Sequence, residues 1–156
     1  TVHSAVQSDN SVIYLDKVES DSSIFINTQM GVKNYMYCTG VGKCLLSYKS
    51  EAQIDQILSF PLKAKTYNTI TQRDALLHEL KLSRERGYSM DNEEIEIGLT
   101  CIGFPVFKSF EEPGFAISIS GATGRILDKL QNTDLIHDMR LAAAAMSRQI
   151  YNYQAH

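Results

Sequence analysis

Three kinds of side chain in this sequence could do chemistry. Asp91, Glu93, Glu94 and Glu96 place four carboxylates inside six residues. Cys101 follows on a strand-like run, and farther along Ser118 and Ser120 recur at a spacing of two. Clustered carboxylates can hold a cation, accept from a ligand hydroxyl, or cap the N–H groups of their own loop. Their spacing here is not that of a calcium-binding loop, and an acidic run is most often a solvated surface. A thiol becomes a nucleophile only when its pKa is lowered, and redox chemistry usually needs a second, resolving thiol. Nothing in the spacing puts His3, His78, His137 or His156 beside Cys101, and Cys38 and Cys44 are only open candidates for a resolver. A buried structural cysteine is the commoner case. Hydroxyls two apart on a strand share a face and give weak, directed hydrogen bonds.

The elements around these residues must position them. A helical pattern with Leu76, Leu77 and Leu80 on one side and Glu79, Lys81, Arg84 and Glu85 on the other ends at Gly87, a C-terminal cap. The acidic loop follows, and Gly98 opens a strand from Leu99 to Phe107. A turn at Glu111–Gly114 then leads to a second strand, Phe115 to Ser120. Alternation puts Phe115, Ile117 and Ile119 on one face of this hairpin with Thr100, Ile102, Phe104 and Val106. The other face gathers Cys101, Gly103, Ala116, Ser118 and Ser120. Small residues with a few convergent polar atoms are the makings of a small-molecule pocket. The competing reading is a one-sided antiparallel sheet whose serines face water.

Earlier in the chain, Thr1–Gln7 and Val12–Val18 read as a hairpin across Ser8–Ser11, and Ile24–Asn27 reads as a third strand. Met30–Tyr37 shows no clear period. The glycines of Thr39-Gly40-Val41-Gly42-Lys43 lead into a short helix over Cys44–Tyr48. Ser50 and Gln53 form a capping box for a helix carrying Ile54, Ile57 and Leu58, which stops before Pro61. Thr71 is the expected N-cap of the next helix, and Gly121–Asn132 is expected to be a loop. From about Asp134 a long helix aligns Leu135, Met139, Ala142, Met146, Ile150 and Tyr153. Strands at both ends with helices between and after them predict an α/β (α+β) mixed sheet covered by helices.

Composition narrows the function. The 156 residues carry a net charge of −3 with scattered Lys and Arg, so the chain lacks the basic face that gripping a nucleic-acid backbone requires. No apolar run approaches the ~18 residues of a membrane span, and no signal peptide is seen. Three cysteines without CxxC spacing argue against a disulfide framework or a zinc site and fit a reducing cytoplasm. No cofactor and no metal are expected. The length suits one domain spanning residues 1–156, and a start at Thr1 without Met suggests a piece of a longer protein.

From about Thr39 to its end the chain resembles the effector-binding domain of IclR-type bacterial transcriptional regulators. The segments that carry the likeness are Thr39-Gly40-Val41-Gly42-Lys43-Cys44-Leu45-Leu46, Thr69-Ile70-Thr71, Arg84 through Glu94, Gly98-Leu99-Thr100-Cys101-Ile102, Pro105-Val106-Phe107 and Ala116 through Gly121. The specific part is R-x-x-G-Y-x-x-D-x-E-E followed by G-x-x-C; a lone G-x-G-K would not be. The resemblance implies a GAF/profilin-like α/β domain, an antiparallel sheet flanked by helices. It implies a small-molecule effector, an organic acid, and assembly as a homodimer or homotetramer. DNA would be met only through a preceding winged helix-turn-helix domain absent from this chain. By the same resemblance, backbone N–H groups around Gly40 and Val41 would receive a carboxylate or keto oxygen, and Asp91, Leu99, Cys101, Ser118 and Ser120 would line the site. Many members have Ala where this chain has Val41, so its extra methyls would narrow that end. Asp91 beside an anionic ligand makes sense as an acceptor for a ligand hydroxyl or as a partner of loop N–H groups. A thiol-dependent enzyme using Cys101 and a ligand-free dimerisation module are the competing readings.

Overall fold

The computed structural model describes residues 1–19 and 29–154. Strands β1 (Val2–Ser8) and β2 (Ser11–Val18) form the opening hairpin, turning where Asp9 takes a φ of 55°. The expected strand at Ile24–Asn27 lies outside the described residues. A short β3 (Lys33–Tyr35) follows, in a stretch whose sequence has no period. Then come helices α1 (Gly40–Leu46), α2 (Glu51–Ile57) and α3 (Arg73–Arg86). Strands β4 (Ser89–Asn92), β5 (Leu99–Ser109) and β6 (Glu112–Ala122) precede helices α4 (Thr123–Asn132) and α5 (Leu135–Gln154). The sheet order is β3-β2-β1-β6-β5-β4, and every pairing is antiparallel.

Local chemistry explains several boundaries. The capping box of α2 is complete: Ser50 Oγ accepts from the Gln53 N–H at 3.3 Å and Gln53 Oε1 from the Ser50 N–H at 2.9 Å. Gly87 ends α3 at φ 76°, a left-handed conformation that costs a β-carbon-bearing residue about 1–2 kcal/mol. Other expectations are corrected. The cap of α3 is Gln72 rather than Thr71, and its side chain makes no capping bond. The glycine-entered helix begins at Gly40, with Thr39 as its cap. The β5–β6 turn is tighter than Glu111–Gly114: Glu111 takes φ 52°, and Pro113 already pairs with Phe107 beside register shifts in the ladder. Residues 123–132 are helix α4, not loop; no side chain caps it and Gly124 sits in its first turn, so the sequence carries little helix signal there. On α5 the buried stripe is Met139, Ala143 and Ser147, one position round from the expected Ala142 and Met146. Ser147 fixes that register, since its hydroxyl accepts from the Phe107 N–H at 2.9 Å and donates to the Ala143 carbonyl at 2.8 Å.

The sheet has a bulky face and a small-residue face, as the alternation predicts. Ile102, Phe104, Val106 and Ile117 pack against Ile126 of α4 and Met139 and Ala143 of α5. The opposite face packs Ala5, Val12 and Ala116 against Val41, Cys44, Leu45 and Leu46 of α1, with Leu76 and Leu80 of α3 behind. Helices thus cover both faces, and Ser118 and Ser120 do not face water: they are 2% and 4% exposed.

Helix α1 comes closer to the sheet than side chains would allow. A β-carbon built on Gly103 would lie 2.6 Å from the Gly40 carbonyl carbon and 2.9 Å from the Val41 nitrogen. Both neighbours are backbone and cannot swing aside. Gly103→Ala is therefore expected to destabilise the fold by about 1–3 kcal/mol, the usual range for overpacking. Gly124→Ala, with open space around it on α4, is expected to stabilise by about 0.5–1 kcal/mol. Urea melts of the two variants against wild type check both signs.

Candidate ligand cavity

The cavity is built where α1 meets the small-residue face. Thr39 holds the corner: its hydroxyl donates to the Tyr35 carbonyl at 2.7 Å and accepts from the Gly42 N–H at 3.2 Å. The first N–H groups of a helix have no partner within it. Thr39 satisfies that of Gly42. All of Gly40–Leu46 is buried, including Lys43 at 1% exposure.

Lys43 is the residue the sequence reading missed most completely. Its ammonium pairs with the Glu94 carboxylate, itself 4% exposed. Two charges leave water here, so removing one partner strands the other and typically costs about 3–5 kcal/mol. Burial pushes the Glu94 carboxyl above its ordinary range, while Lys43 pulls it back. The Thr-rich connector secures the same loop. Thr69 Oγ1 donates to the Glu94 carbonyl at 2.6 Å, and Thr66 Oγ1 donates to the Glu93 carbonyl at 2.7 Å. Ser89 Oγ donates to the Gly40 carbonyl. The acidic run is thus not a solvated surface at its key positions: Asp91 is 0% exposed.

Asp91 has two distinct oxygens. Oδ1 accepts from the N–H groups of Glu94 at 2.7 Å and Ile95 at 3.4 Å, so it shapes the loop. Among the described residues Oδ2 is buried without a partner, and both ring nitrogens of His3 share that condition. Asp91 and His3 border one cavity of about 230 Å³, together with Tyr14, Asn34, Thr39, Leu99, Cys101 and Ser120. Buried polar atoms are satisfied in over about 90% of cases, so three orphans around one cavity mark a place meant to be filled by solvent or ligand. A larger depression of about 510 Å³ lies by Gln7, Asp9, Lys49 and Gln53, but it is bordered by surface polar groups and holds no such orphan.

Of the expected site residues, Asp91, Leu99, Cys101 and Ser120 border the cavity. Gly40 packs on the Cys101 backbone, Val41 is in the core beside it, and Ser118 lies one row along the sheet, opposite Gly103 and His3. His3, Tyr14 and Asn34 were not anticipated. They reach the site only through the β1–β6, β1–β2 and β2–β3 pairings. Thr39 carried a signal, an N-cap residue before a glycine-rich helix start.

Burial sets the electrostatics. It pushes Asp91 up to about 7, with Glu94's charge adding to the rise and the loop N–H groups and Lys43 opposing it. It pushes His3 down to about 4, helped by the neighbouring Thr1 ammonium and Lys17. Cys101 is pushed up to about 12 by burial and then by Asp91, and burial also raises Cys38 and Cys44. All three thiols are therefore protonated at neutral pH and are poor nucleophiles. Among the described residues no group of three or more His, Cys, Asp or Glu is placed to hold a metal ion, and no helix is long and apolar enough to cross a membrane.

The comparisons with known proteins agree with one another. Residues 1–148 match the family described as bacterial transcriptional regulator IclR, C-terminal. The chain is 36% identical over 152 residues to the HTH-type transcriptional regulator KdgR of Escherichia coli, covering 96% of this chain and 57% of that protein. It is 38% identical over 131 residues to the transcriptional repressor IclR of the same organism, covering 82% of this chain and 48% of that one. It therefore spans about half the length of the curated relatives it matches. The crystal structure of the C-terminal domain of E. coli KdgR superposes with a TM-score of 0.83 at 35% identity, covering 96% of this chain and 86% of that chain.

The raised Asp91 gives a pH test. Its folded pKa of about 7 lies above the ordinary 3.8, so its contribution to stability is full below pH 3.8 and is lost as pH rises through 7. Asp91→Asn keeps an oxygen for the Glu94 N–H and removes the titration. The variant should gain on wild type by about 1.4 kcal/mol per pH unit between about pH 4 and 7 and then level off. Denaturant melts across that range check it; a constant difference would contradict a buried, raised Asp91.

Proposed function

Because the chain belongs to the IclR family of bacterial transcriptional regulators, matching their C-terminal domain, we propose that it is a ligand-sensing module for a small organic acid. The acid occupies the cavity between α1 and the sheet. Its binding changes how a separate helix-turn-helix domain of the same protein engages DNA, within a cytoplasmic homodimer or homotetramer. Residues 1–156 act as that single effector-binding domain. The observation that carries this reading is the set of unpartnered buried polar atoms around a cavity of about 230 Å³.

The chemistry suits an acid at one end and a hydroxyl-bearing or keto-bearing body. Amides of Gly40 and Val41 offer N–H donors to a carboxylate where water is scarce and hydrogen bonds to charge are worth about 1.5–3 kcal/mol. Asp91 would repel a second carboxylate if ionised. With its pKa raised to about 7 it takes up a proton far more readily than a free carboxyl, and a nearby ligand carboxylate favours the neutral form further. Ser120 and Cys101 present small hydrogen-bonding groups on the cavity wall, and Leu99 supplies apolar surface. Val41 fills space near α1's start and favours a slim acid end. The same neutral thiols argue against the competing redox enzyme, and the relatives are regulators.

A thermal-shift screen of short keto, hydroxy and sugar acids tests the proposal. An acid at about 100 times its dissociation constant should stabilise the domain by roughly 2.7 kcal/mol, or about 5–10 °C. Ser120→Ala removes one neutral hydrogen bond worth about 1 kcal/mol and should weaken binding about fivefold, with a near-wild-type melt in the absence of acid. No shift with any acid would overturn the ligand class. Equal shifts in wild type and variant would remove Ser120 from the site.

A further inference from the structure

Strand β5 outruns its neighbour. Strand β4 pairs only with residues 100–103 and is the last strand in the sheet order, so among the described residues β5 has a bare edge from Phe104 onward. Helix α5 leans over that edge, where Ser147 Oγ accepts from the Phe107 N–H. Between them lies a groove of about 380 Å³ that shares no lining residue with the cavity bordered by Asp91 and His3. Its floor is the rings of Tyr48, Phe104 and Phe107, and its α5 wall carries Ala143, Ala144 and Tyr151. We propose that this groove is a second ligand site and that it takes an aromatic monocarboxylate.

The bare edge is closed to an added strand. Strand addition needs a row of free backbone N–H and C=O groups. Pro105 has no N–H, and that of Phe107 is already bonded to Ser147. An occupant is therefore held by side chains rather than by the ladder. The volume falls in the ~300–1,000 Å³ range of small-molecule sites. Tyr48 and Phe107 meet edge to face at 5.2 Å and 84°, so a flat ring entering the groove finds both a ring face and a ring edge, the geometries aromatic pairs prefer.

Charge sets the sign of the ligand. Arg140 and Arg148 border the groove, and no Asp or Glu does. Arg140 is anchored: its Nη2 donates to the Arg86 carbonyl, and its guanidinium stands 5.9 Å from the centre of the Tyr88 ring. Nearby Arg84 and Arg86 are matched by Glu111 at 3.2 Å and Glu79 at 2.6 Å. Arg148, about two turns along α5 from Arg140, has no carboxylate partner among the described residues. Its planar fork can grip a carboxylate through two parallel hydrogen bonds, which a neutral or cationic ligand cannot use. The carboxylate therefore belongs at Arg148 and the ring over the aromatic floor.

Calorimetric titration with cinnamate, its neutral counterpart cinnamyl alcohol and the aliphatic acid octanoate tests the assignment. Wild type should bind cinnamate at least tenfold more tightly than either of the others. Arg148→Gln should lose about tenfold in cinnamate affinity with no loss for the alcohol. Ala144→Glu puts a carboxylate into the groove from an exposed helix position and should abolish cinnamate binding without lowering the melting temperature. Failure of cinnamate to bind wild type, or binding that survives both substitutions, overturns the site. Loss on Ser120→Ala with none on Arg148→Gln places the probe in the other cavity and overturns it too. Octanoate binding as tightly as cinnamate overturns the aromatic class. Sedimentation of wild type as an oligomer that Ala144→Glu dissociates, with no cinnamate bound, makes the groove a contact with a second copy and overturns the ligand.

Discussion

The fold depends on how closely one short helix can lie on the sheet. Helix α1 rests its first turn on strand β5 with backbone touching backbone, and Gly103 permits this because any β-carbon there would enter the Gly40 peptide. The buried Lys43–Glu94 pair then fastens α1 to the loop that follows β4. These contacts fix opposite walls of one cavity. Asp91 stands at the end of β4, just before the fastened loop, Cys101 and Ser120 on the strands beside it, and Thr39 at the helix cap. An ion pair buried this deeply contributes little net stability compared with apolar packing. Its value here is positional, since it sets the loop that presents Asp91 and couples that loop to the helix end.

The cavity is polar without being strongly charged. Desolvation drives Asp91, His3 and Cys101 toward their neutral forms, so Asp91 rises, His3 falls and Cys101 stays a thiol. On the proposed reading, an acid entering this site meets the neutral forms of Asp91, His3 and Cys101. That favours an acid whose charge is taken up by backbone N–H groups while its other polar atoms answer side chains. It also gives a regulator a natural switch element. The turn that leaves Asp91 is held by the carboxylate whose other oxygen is unpartnered among the described residues, so on the proposed reading a ligand bonded to that oxygen would link occupancy to loop conformation through one side chain.

Much of this was legible in sequence because it is local. Period-two alternation in β5 and β6 separated Phe104 and Ile117 from Cys101 and Ser120, and the structure keeps that division. Ser50 with Gln53, and Gly87, announced their caps. Asp91, Leu99, Cys101 and Ser120 were found through the family motif, and they border the cavity. What escaped was long-range. Lys43 and Glu94 are 51 positions apart, and no local pattern says that a lysine after two glycines will be buried. His3 reaches the site only because β1 inserts between β2 and β6. Helix α4 was missed because Ala122 cannot cap it and Gly124 weakens its start, so its formation rests on Ile126 packing under the sheet rather than on propensity.

An organic acid held between α1 and the small-residue face of the sheet is the effector proposed for this domain. A crystal structure of this domain grown with the acid that most raises its melting temperature tests it most directly. The account predicts continuous ligand density in the cavity, with the carboxylate within hydrogen-bond distance of the Gly40 or Val41 N–H and another polar atom on Asp91 Oδ2. Ligand density at the surface depression beside Gln53 and Lys49, with only solvent between Asp91, Cys101 and Ser120, would contradict it.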